Sequence, residues 1–287
     1  MFDIEAKSHN VHFVNYVMED PAQEFWVRLS ADEHFDSISC QRSLLKEHLN
    51  LAVERNALCI TAGDYFDAMQ VRGDPRSSYD ELRPEYKGGD YLDLILNDAA
   101  RWHEPYAKQF GILAMGNHET SIERHNGTNL TQRFVHGLRQ SGGNAFAGGY
   151  TGYIFFRFTV HKNVRSKIVL KYHHGMGGGA APVTRGVIQS NRMAVMFPDA
   201  DILVSGHNHE SWLVPIQQEK INSHGKIDAR PQWHVRVPSY KDSWGKRGKG
   251  FDVEKGSPKP VGCVWLRFFM AAGQRGKIDF EATQTIR

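Results

Sequence analysis

The most informative pattern in the sequence is a series of short apolar runs that end in polar or ionisable side chains. Residues 112–115 are apolar, and Gly116 then interrupts the run and is followed by Asn117, His118 and Glu119. A short apolar run bounded by glycine predicts a buried β-strand. In an open α/β sheet, functional side chains gather at the carboxyl ends of the strands. This stretch therefore predicts an amide oxygen, an imidazole and a carboxylate at the mouth of a sheet.

Four other apolar runs end in the same manner. They cover residues 25–29, 57–62, 167–172 and 201–205. The side chains that follow them are Asp32 and His34, Asp64 and Asp67, His173 and His174, and His207 and His209. Because such side chains meet at one edge of a sheet, we expect the five sets to lie close together.

Segments with helical spacing separate these runs. Apolar positions follow a helical period over residues 38–55, 91–110, 130–138 and 187–197. Further strands are predicted at 150–160, 211–219, 232–237, 262–269 and 276–282, and the first 24 residues predict an edge strand and a loop. Strands that alternate with helices are typical of βαβ units. We predict a single α/β domain over residues 1–287, with a β-rich part from about residue 211.

Two segments interrupt this pattern. Residues 68–89 contain proline, several glycines and charges of both signs, and are too long for a plain connection. Since this insertion begins beside Asp67, we expect it to line a substrate cleft. Residues 241–250 carry four basic residues and one acidic residue. A solvated loop is the first interpretation of that run, and a contact with nucleic acid is the alternative.

Composition narrows the class of protein. The 287 residues are 40% hydrophobic, enough for a substantial core, and the net charge of +3 permits an anionic substrate without requiring nucleic acid. Cys40, Cys59 and Cys263 show no close pairing, which indicates a reducing compartment. No run approaches the roughly 18 apolar residues of a membrane span. We therefore expect a soluble, cytoplasmic protein without a membrane partner; its oligomeric state stays undetermined.

The side chains at the strand ends are typical of a metal site. Carboxylate, imidazole and amide groups, without a thiolate, suit Mn²⁺, Fe, Zn²⁺ or Co²⁺. Their number exceeds what one tetrahedral metal needs, and it suits two metals bridged by a carboxylate and a water. Each motif taken alone is also explained by a purely structural role, as a helix cap, a turn or a surface histidine. Five such motifs in order favour two divalent metal ions, with Mn²⁺ preferred over Fe, Zn, Co or Ni.

This ordered set of motifs resembles that of the calcineurin-like metallophosphoesterase superfamily over roughly residues 25–210. The resemblance implies two β-sheets packed face to face, with helices outside and a dinuclear site at the strand ends. It implies a first metal bound by Asp32, His34 and His209, a bridging Asp64, and a second metal bound by Asn117, His207 and one histidine of the 173–174 pair, of which we favour His173. It also implies that His118 protonates the leaving oxygen and that Asp67 orients His118. His174 and Arg185 are then candidates for contact with the substrate.

The resemblance implies hydrolysis of phosphate esters by a hydroxide that bridges the metals. Protein Ser/Thr phosphatases have an arginine where this chain has Ala68, and a glycine where it has Phe35, so we disfavour that class. The Gly-His-x-His ending is shared with phosphodiesterases, nucleases of the DNA-repair type and many uncharacterised members of the superfamily, often viral. We predict a phosphodiesterase or phosphatase that acts on nucleotides or nucleic acid. A DNA nuclease and a metal-binding structural protein with a vestigial site are the alternatives.

Overall fold

The computed structural model describes residues 2–68, 82–160, 164–175, 184–221, 223–245, 253–254, 256–274 and 276–287. The strands in this part of the chain are β1 (Phe2–Ser8), β2 (Val11–Met18), β3 (Glu24–Ser30), β4 (Leu58–Thr61), β5 (Phe110–Leu113), β6 (Phe146–Ala147), β7 (Thr151–Val160), β8 (Val164–His173), β9 (Ile202–Ser205), β10 (Trp212–Ile221), β11 (Ile227–Arg236), β12 (Gly262–Met270) and β13 (Ile278–Ile286). The α-helices are α1 (Arg42–Glu54), α2 (Tyr91–His103), α3 (Asn117–Asn126), α4 (Leu130–Gln140) and α5 (Val187–Met196).

The strands form two mixed sheets. The seven-stranded sheet has the order β1-β2-β7-β8-β9-β11-β10, and the six-stranded sheet has the order β13-β12-β3-β4-β5-β6. The run β3-β4-β5 is parallel in one sheet, and β8-β9-β11 is parallel in the other. Parallel neighbours end at the same edge, so each sheet delivers several strand ends to one place.

Two hydrophobic cores hold these layers together. One core lies between the sheets and includes Phe25 of β3, Phe156 of β7 and Phe268 of β12. The other lies between the six-stranded sheet and α1, α2 and α4, while α5 packs on the seven-stranded sheet through Met193 and Leu203. The predicted fold class is confirmed: two packed β-sheets are flanked by helices. None of the described helices is long and apolar enough to cross a membrane.

Several predicted boundaries changed. The first 24 residues form a hairpin of two strands where one edge strand was predicted, because β2 also pairs with β7 in the sheet. The helix predicted at 38–55 begins only at Arg42, since Cys40 forms a β-bridge with Lys241. The helix predicted at 91–110 ends at His103, and a 3₁₀ helix with Pro105 near its start follows. Helix α3 was not predicted.

Parts of both interrupting segments are absent from the described residues. Residues 69–81 of the predicted 68–89 insertion lie outside the described part of the chain, as do residues 246–250 of the basic run. The described remainder of the insertion forms a β-bridge between Ser37 and Leu82 and a short 3₁₀ helix at Pro84–Tyr86. The role of the insertion in a substrate cleft therefore stays a prediction.

Candidate metal centre

Strand ends from both sheets meet and form three overlapping groups of side chains that could hold a metal ion. The ligand atoms of each group lie within 4.8 Å of one another. The groups are Asp32, His34 and His209; His34, Asp64 and His118; and Asp64, His174 and His207. Main-chain hydrogen bonds join the contributing loops, because Asp32 donates to Gly63 O and Gly206 donates to His174 O. The convergence expected from the sequence is present.

The first group has the donor arrangement of a cation site. The Nε2 atoms of His34 and His209 face each other at 3.3 Å. Asp32 Oδ1 lies 3.5 Å from His209 Nε2, and it is a buried oxygen without a hydrogen-bond partner. A buried, unpartnered carboxylate oxygen is costly. Two imidazole nitrogens and this oxygen directed at one point therefore fit a divalent cation.

The group of Asp64, His174 and His207, called the second group from here on, surrounds the side chain of Asn117. Asn117 Oδ1 lies 2.8 Å from His207 Nδ1 and 3.0 Å from His174 Nε2. His174 Nε2 also lies 3.0 Å from Asp64 Oδ2. The other ring nitrogen of His174 donates to Ala62 O at 2.9 Å, so Nε2 is the nitrogen that faces Asp64 and Asn117 and could bind a metal. Oxygen and imidazole donors again fit a borderline divalent cation.

Asp64 belongs to the second group and also forms a group with His34 and His118. Its Oδ1 accepts the main-chain N–H of His118 at 2.9 Å, and its Oδ2 faces His174. Burial acts to raise the pKa of Asp64, but the His174 and His118 rings outweigh burial and hold that pKa well below its usual range. Asp64 is therefore an ionised carboxylate positioned to serve both groups.

Five residues of these groups have a strained main-chain conformation. The φ angles are positive at Asp32 (51°), His34 (44°), Asp64 (53°), His207 (77°) and His209 (57°). Residues other than glycine rarely adopt this region, and such strain collects at functional sites. The structure around these residues holds them in unfavourable conformations that turn their side chains toward one another.

Two glycines allow this close approach. A Cβ at Gly116 would lie 2.0 Å from Asp64 Oδ1 and 2.5 Å from the Asp64 main-chain nitrogen. Gly63 has a φ of +104°, and a Cβ there would lie 2.6 Å from His174 Nδ1. The interrupting glycine of the sequence pattern thus lets the end of β5 lie against Asp64.

Gly116→Ala should damage this centre. The new methyl group would collide with the main chain of Asp64, which cannot move aside without shifting the loop, so we expect a loss of about 1–3 kcal/mol in the free energy of unfolding. Cation affinity should fall as well. Urea unfolding and calorimetric titration with Mn²⁺ measure the two effects. Gly89→Ala is the matched control, since a Cβ at Gly89 meets nothing within 4 Å. Equal effects of the two substitutions would contradict the close approach at Gly116.

His118 lies at the edge of the cluster. Its Nδ1 donates to the main-chain carbonyl of Asp67 at 2.5 Å, and its Nε2 lies 3.7 Å from Asp64 Oδ2. The side chain is 10% exposed. Burial acts to lower the pKa of His118, but the charges of Asp64 and Asp67 outweigh burial and raise that pKa above its usual value. His118 can therefore carry a proton on Nε2 beside the grouped side chains.

Asp67 contacts His118 through its main-chain carbonyl and not through its carboxylate, and its role in orienting His118 stays a prediction. Asp67 Oδ1 instead lies 2.9 Å from His34 Nδ1 and 3.1 Å from Lys241 Nζ. The cause is the turn after β4, where the Asp36 carboxylate accepts the main-chain N–H of Asp67 at 2.6 Å. This turn directs the Asp67 side chain toward His34 and leaves only its main-chain carbonyl for His118.

The pair His173–His174 is also arranged differently from the prediction. His173 is the last residue of β8, and alternate side chains on a strand point to opposite faces. His173 therefore shares the outer face with Lys171, which packs on Phe197. His174 shares the inner face with Tyr172 of the core between the sheets. The structure brings His174, and not His173, into the groups, and burial lowers the pKa of His173 to about 4.

Arg185 is exposed, and its described contact uses the main chain. Its carbonyl accepts a hydrogen bond from Trp212 Nε1 at 3.0 Å. Its φ of 46° is another positive value. Contact between the Arg185 side chain and a phosphate stays a prediction.

Sequence analysis gave no role in the centre to two residues, Glu119 and Lys241. Glu119 is buried, and its carboxylate accepts main-chain N–H groups of Asp64 (3.0 Å), Phe66 (2.9 Å) and Gly116 (2.8 Å), which ties the ends of β4 and β5 together. A glutamate three residues after a helix-starting glycine is the capping-box position, and that signal could have revealed it. Lys241 follows β11, so the strand-end argument could have included it.

Comparisons with known proteins give distant similarities. No family model and no curated protein matches the sequence. Among solved structures, the chain is similar to Vps29 from Entamoeba histolytica, solved in complex with zinc, at 11% identity and a TM-score of 0.37, covering 90% of this chain and 98% of that one. It is similar to a predicted phosphoesterase from Streptococcus pneumoniae at 10% identity and a TM-score of 0.33, covering 92% and 99%. GAP50, the anchor in the inner membrane complex of Plasmodium, has 12% identity and a TM-score of 0.41, covering 92% and 89%. These similarities are too distant to assign an activity.

Proposed function

We propose that this chain is a phosphoesterase that requires two divalent cations. The observation that carries the proposal is the position of Asp64, an ionised and buried carboxylate shared by two groups of oxygen and nitrogen donors. A shared carboxylate is the usual bridge in sites that bind two metals for hydrolysis. The donor set suits Mn²⁺, with Fe, Zn²⁺, Co²⁺ or Ni²⁺ as alternatives.

The residues divide between two cations. We assign Asp32, His34, Asp64 and His209 to the first cation, and Asp64, Asn117, His174 and His207 to the second. When bound, such cations lower the pKa of a water between them and neutralise charge on the phosphoryl oxygens. This assignment replaces His173 by His174, because the His174 ring faces both Asn117 and Asp64.

His118 supplies the proton that the leaving oxygen needs. The Asp67 carbonyl holds Nδ1–H, so Nε2 is the nitrogen that can give a proton at the edge of the cluster. A histidine used as a general acid typically contributes a factor of about 10²–10⁴ in rate. Asp67 supports two residues in this scheme: its carboxylate orients His34, and its carbonyl orients His118.

The substrate class rests on the sequence resemblance and on charge. We propose phosphodiesters or phosphomonoesters of nucleotides or nucleic acid as substrates, since the centre needs anionic phosphoryl oxygens and the chain carries a net charge of +3. Ala68 leaves the turn after β4 without the arginine of protein phosphatases.

Removal and replacement of cations test the proposal. After treatment with a chelator, turnover should disappear; Mn²⁺ should restore it. Cations at 100 times their dissociation constant should stabilise the fold by about 2.7 kcal/mol per site, which a thermal melt detects. The substrates to compare are bis-p-nitrophenyl phosphate, p-nitrophenyl phosphate, cyclic nucleotides, and single- and double-stranded DNA. Turnover that survives chelation unchanged would contradict the proposal.

The same panel separates the alternatives. Cleavage of DNA alone, with binding that weakens steeply as salt is added, would identify a nuclease. Tight cation binding without turnover on any substrate would identify a metal-binding structural protein.

A further inference from the structure

A largely buried lysine, Lys241, lies beside the first group of ligands. The side chain of Lys241 is 9% exposed, and its Nζ lies 3.1 Å from Asp67 Oδ1. Its main chain is held on two sides, because its N–H donates to Ser239 Oγ at 2.8 Å and the residue forms a β-bridge with Cys40. Lys241 is therefore a fixed and largely buried cation, unlike the solvated lysine predicted for the basic run.

Lys241 and His34 share one oxygen atom. Asp67 Oδ1 lies 2.9 Å from His34 Nδ1, and the His34 ring then presents Nε2 to His209 in the first group. The side chains of Asp67 and His34 are only 4% and 2% exposed. Lys241 therefore contacts Asp67, and Asp67 contacts the ring of His34, whose Nε2 is a proposed ligand.

These contacts act on the ligand strength of His34. The Asp67 carboxylate lies 2.9 Å from the outer nitrogen of His34, and a carboxylate at that place raises the basicity of the ligand nitrogen. An ammonium on the same carboxylate oxygen draws negative charge away from the imidazole, so it opposes that effect. The ammonium also repels a doubly charged cation directly, and repulsion is weakly screened in a buried site.

The second group is supported differently. The outer nitrogen of His174 donates to the neutral main-chain carbonyl of Ala62 at 2.9 Å. Removal of the Lys241 charge should therefore change the first group much more than the second.

We propose that Lys241 is a positioning residue that acts through Asp67 and His34 to weaken cation binding by the first group. The inference rests on the proposed function for the nature of the ligand, a divalent cation. The charge of Lys241 therefore lowers the occupancy of the first cation site and not that of the second.

The test is calorimetric titration of the metal-free, full-length protein with Mn²⁺. Lys241→Met should tighten one of the two binding events by about tenfold or more, as expected for removal of a single charge close to a dication. Lys241→Gln should tighten it as well, because glutamine keeps a donor for Asp67 but carries no charge. When Asp32→Ala is also present, Lys241→Met should no longer change the affinity.

Two control variants separate charge from structure. Lys241→Arg keeps the charge, so its affinity should stay close to that of the unmodified protein. Lys7→Met removes the same charge from a side chain that is 51% exposed and paired with Glu5, and it should have no effect. Circular dichroism without cations verifies that each variant folds. If Lys241→Met fails to fold, the Mn²⁺ affinity of Lys241→Gln tests the inference instead.

The outcomes are distinct. Unchanged or weaker Mn²⁺ binding by a folded Lys241→Gln variant would overturn the inference and leave the proposed function intact, because a merely structural lysine would loosen the site when removed. Tighter binding without turnover on any phosphate ester would support the inference and overturn the function. A protein that binds no divalent cation would overturn both.

Discussion

Asp64→Asn should lower turnover by more than the roughly 10²–10³-fold that loss of one stabilising donor costs in other enzymes. Asparagine keeps the size of the side chain but removes the charge shared by the two ligand groups. Its amide nitrogen would also face either the main-chain N–H of His118 or the Nε2 of His174, which Asp64 Oδ1 and Oδ2 now face. Both cations should therefore bind more weakly. Steady-state kinetics and elemental analysis measure the two losses.

Asp93→Asn is the matched control for this substitution. Asp93 lies on α2, where its exposed side chain pairs with Arg133 at 2.5 Å. The same chemical change there should leave turnover and cation content unaltered. Full cation occupancy in the Asp64→Asn protein would defeat the bridging role of Asp64.

His118→Asn should retain both cations and lose much of kcat. Asparagine can still donate to the Asp67 carbonyl, which His118 Nδ1 contacts at 2.5 Å, but it has no group that can deliver the Nε2 proton. The loss should reach about 10²–10⁴-fold for esters with alkoxide leaving groups, which need that proton. It should be smaller for p-nitrophenolate, which departs readily without one. The ratio of the two losses is the diagnostic measurement.

Two further variants sharpen this result. His125→Asn changes an exposed histidine on the same helix, α3, and should leave both rates unchanged. Asp67→Asn should reduce cation affinity through His34 without the dependence on leaving group, since the Asp67 carboxylate contacts His34 and Lys241. If His118→Asn lost a cation, or slowed both ester classes equally, then His118 would be a ligand or an electrostatic stabiliser.

The central strands were predictable because they are buried on both faces. Strands β4, β5 and β9 are buried throughout, and nearly all of their residues are apolar. Helix α3 escaped prediction because most of its side chains are polar and only Glu119 and Ile122 are buried. The start of α3 is stabilised by the Glu119 carboxylate, which accepts main-chain N–H groups at the ends of β4 and β5. Hydrogen bonds of this kind leave no periodic pattern of apolar residues in the sequence.

The sequence by itself determined which chemical groups stand at the strand ends, because an apolar run followed by aspartate, asparagine or histidine is a local pattern. Asp32, His34, Asp64, Asn117, His207 and His209 were identified in this way, and the structure brings all six together. Only the tertiary structure decided which neighbour of a pair faces inward and what each side chain contacts. Because His173 ends β8 with its side chain on the outer face, His174 is the histidine that faces the centre. The hydrogen bond from the Asp67 main chain to Asp36 shapes the turn that directs the Asp67 carboxylate toward His34. Lys241 contacts Asp67 although the two residues are 174 positions apart in the sequence. Contacts between side chains of two packed sheets depend on how the sheets pack, and the neighbours of a residue in the sequence do not reveal them.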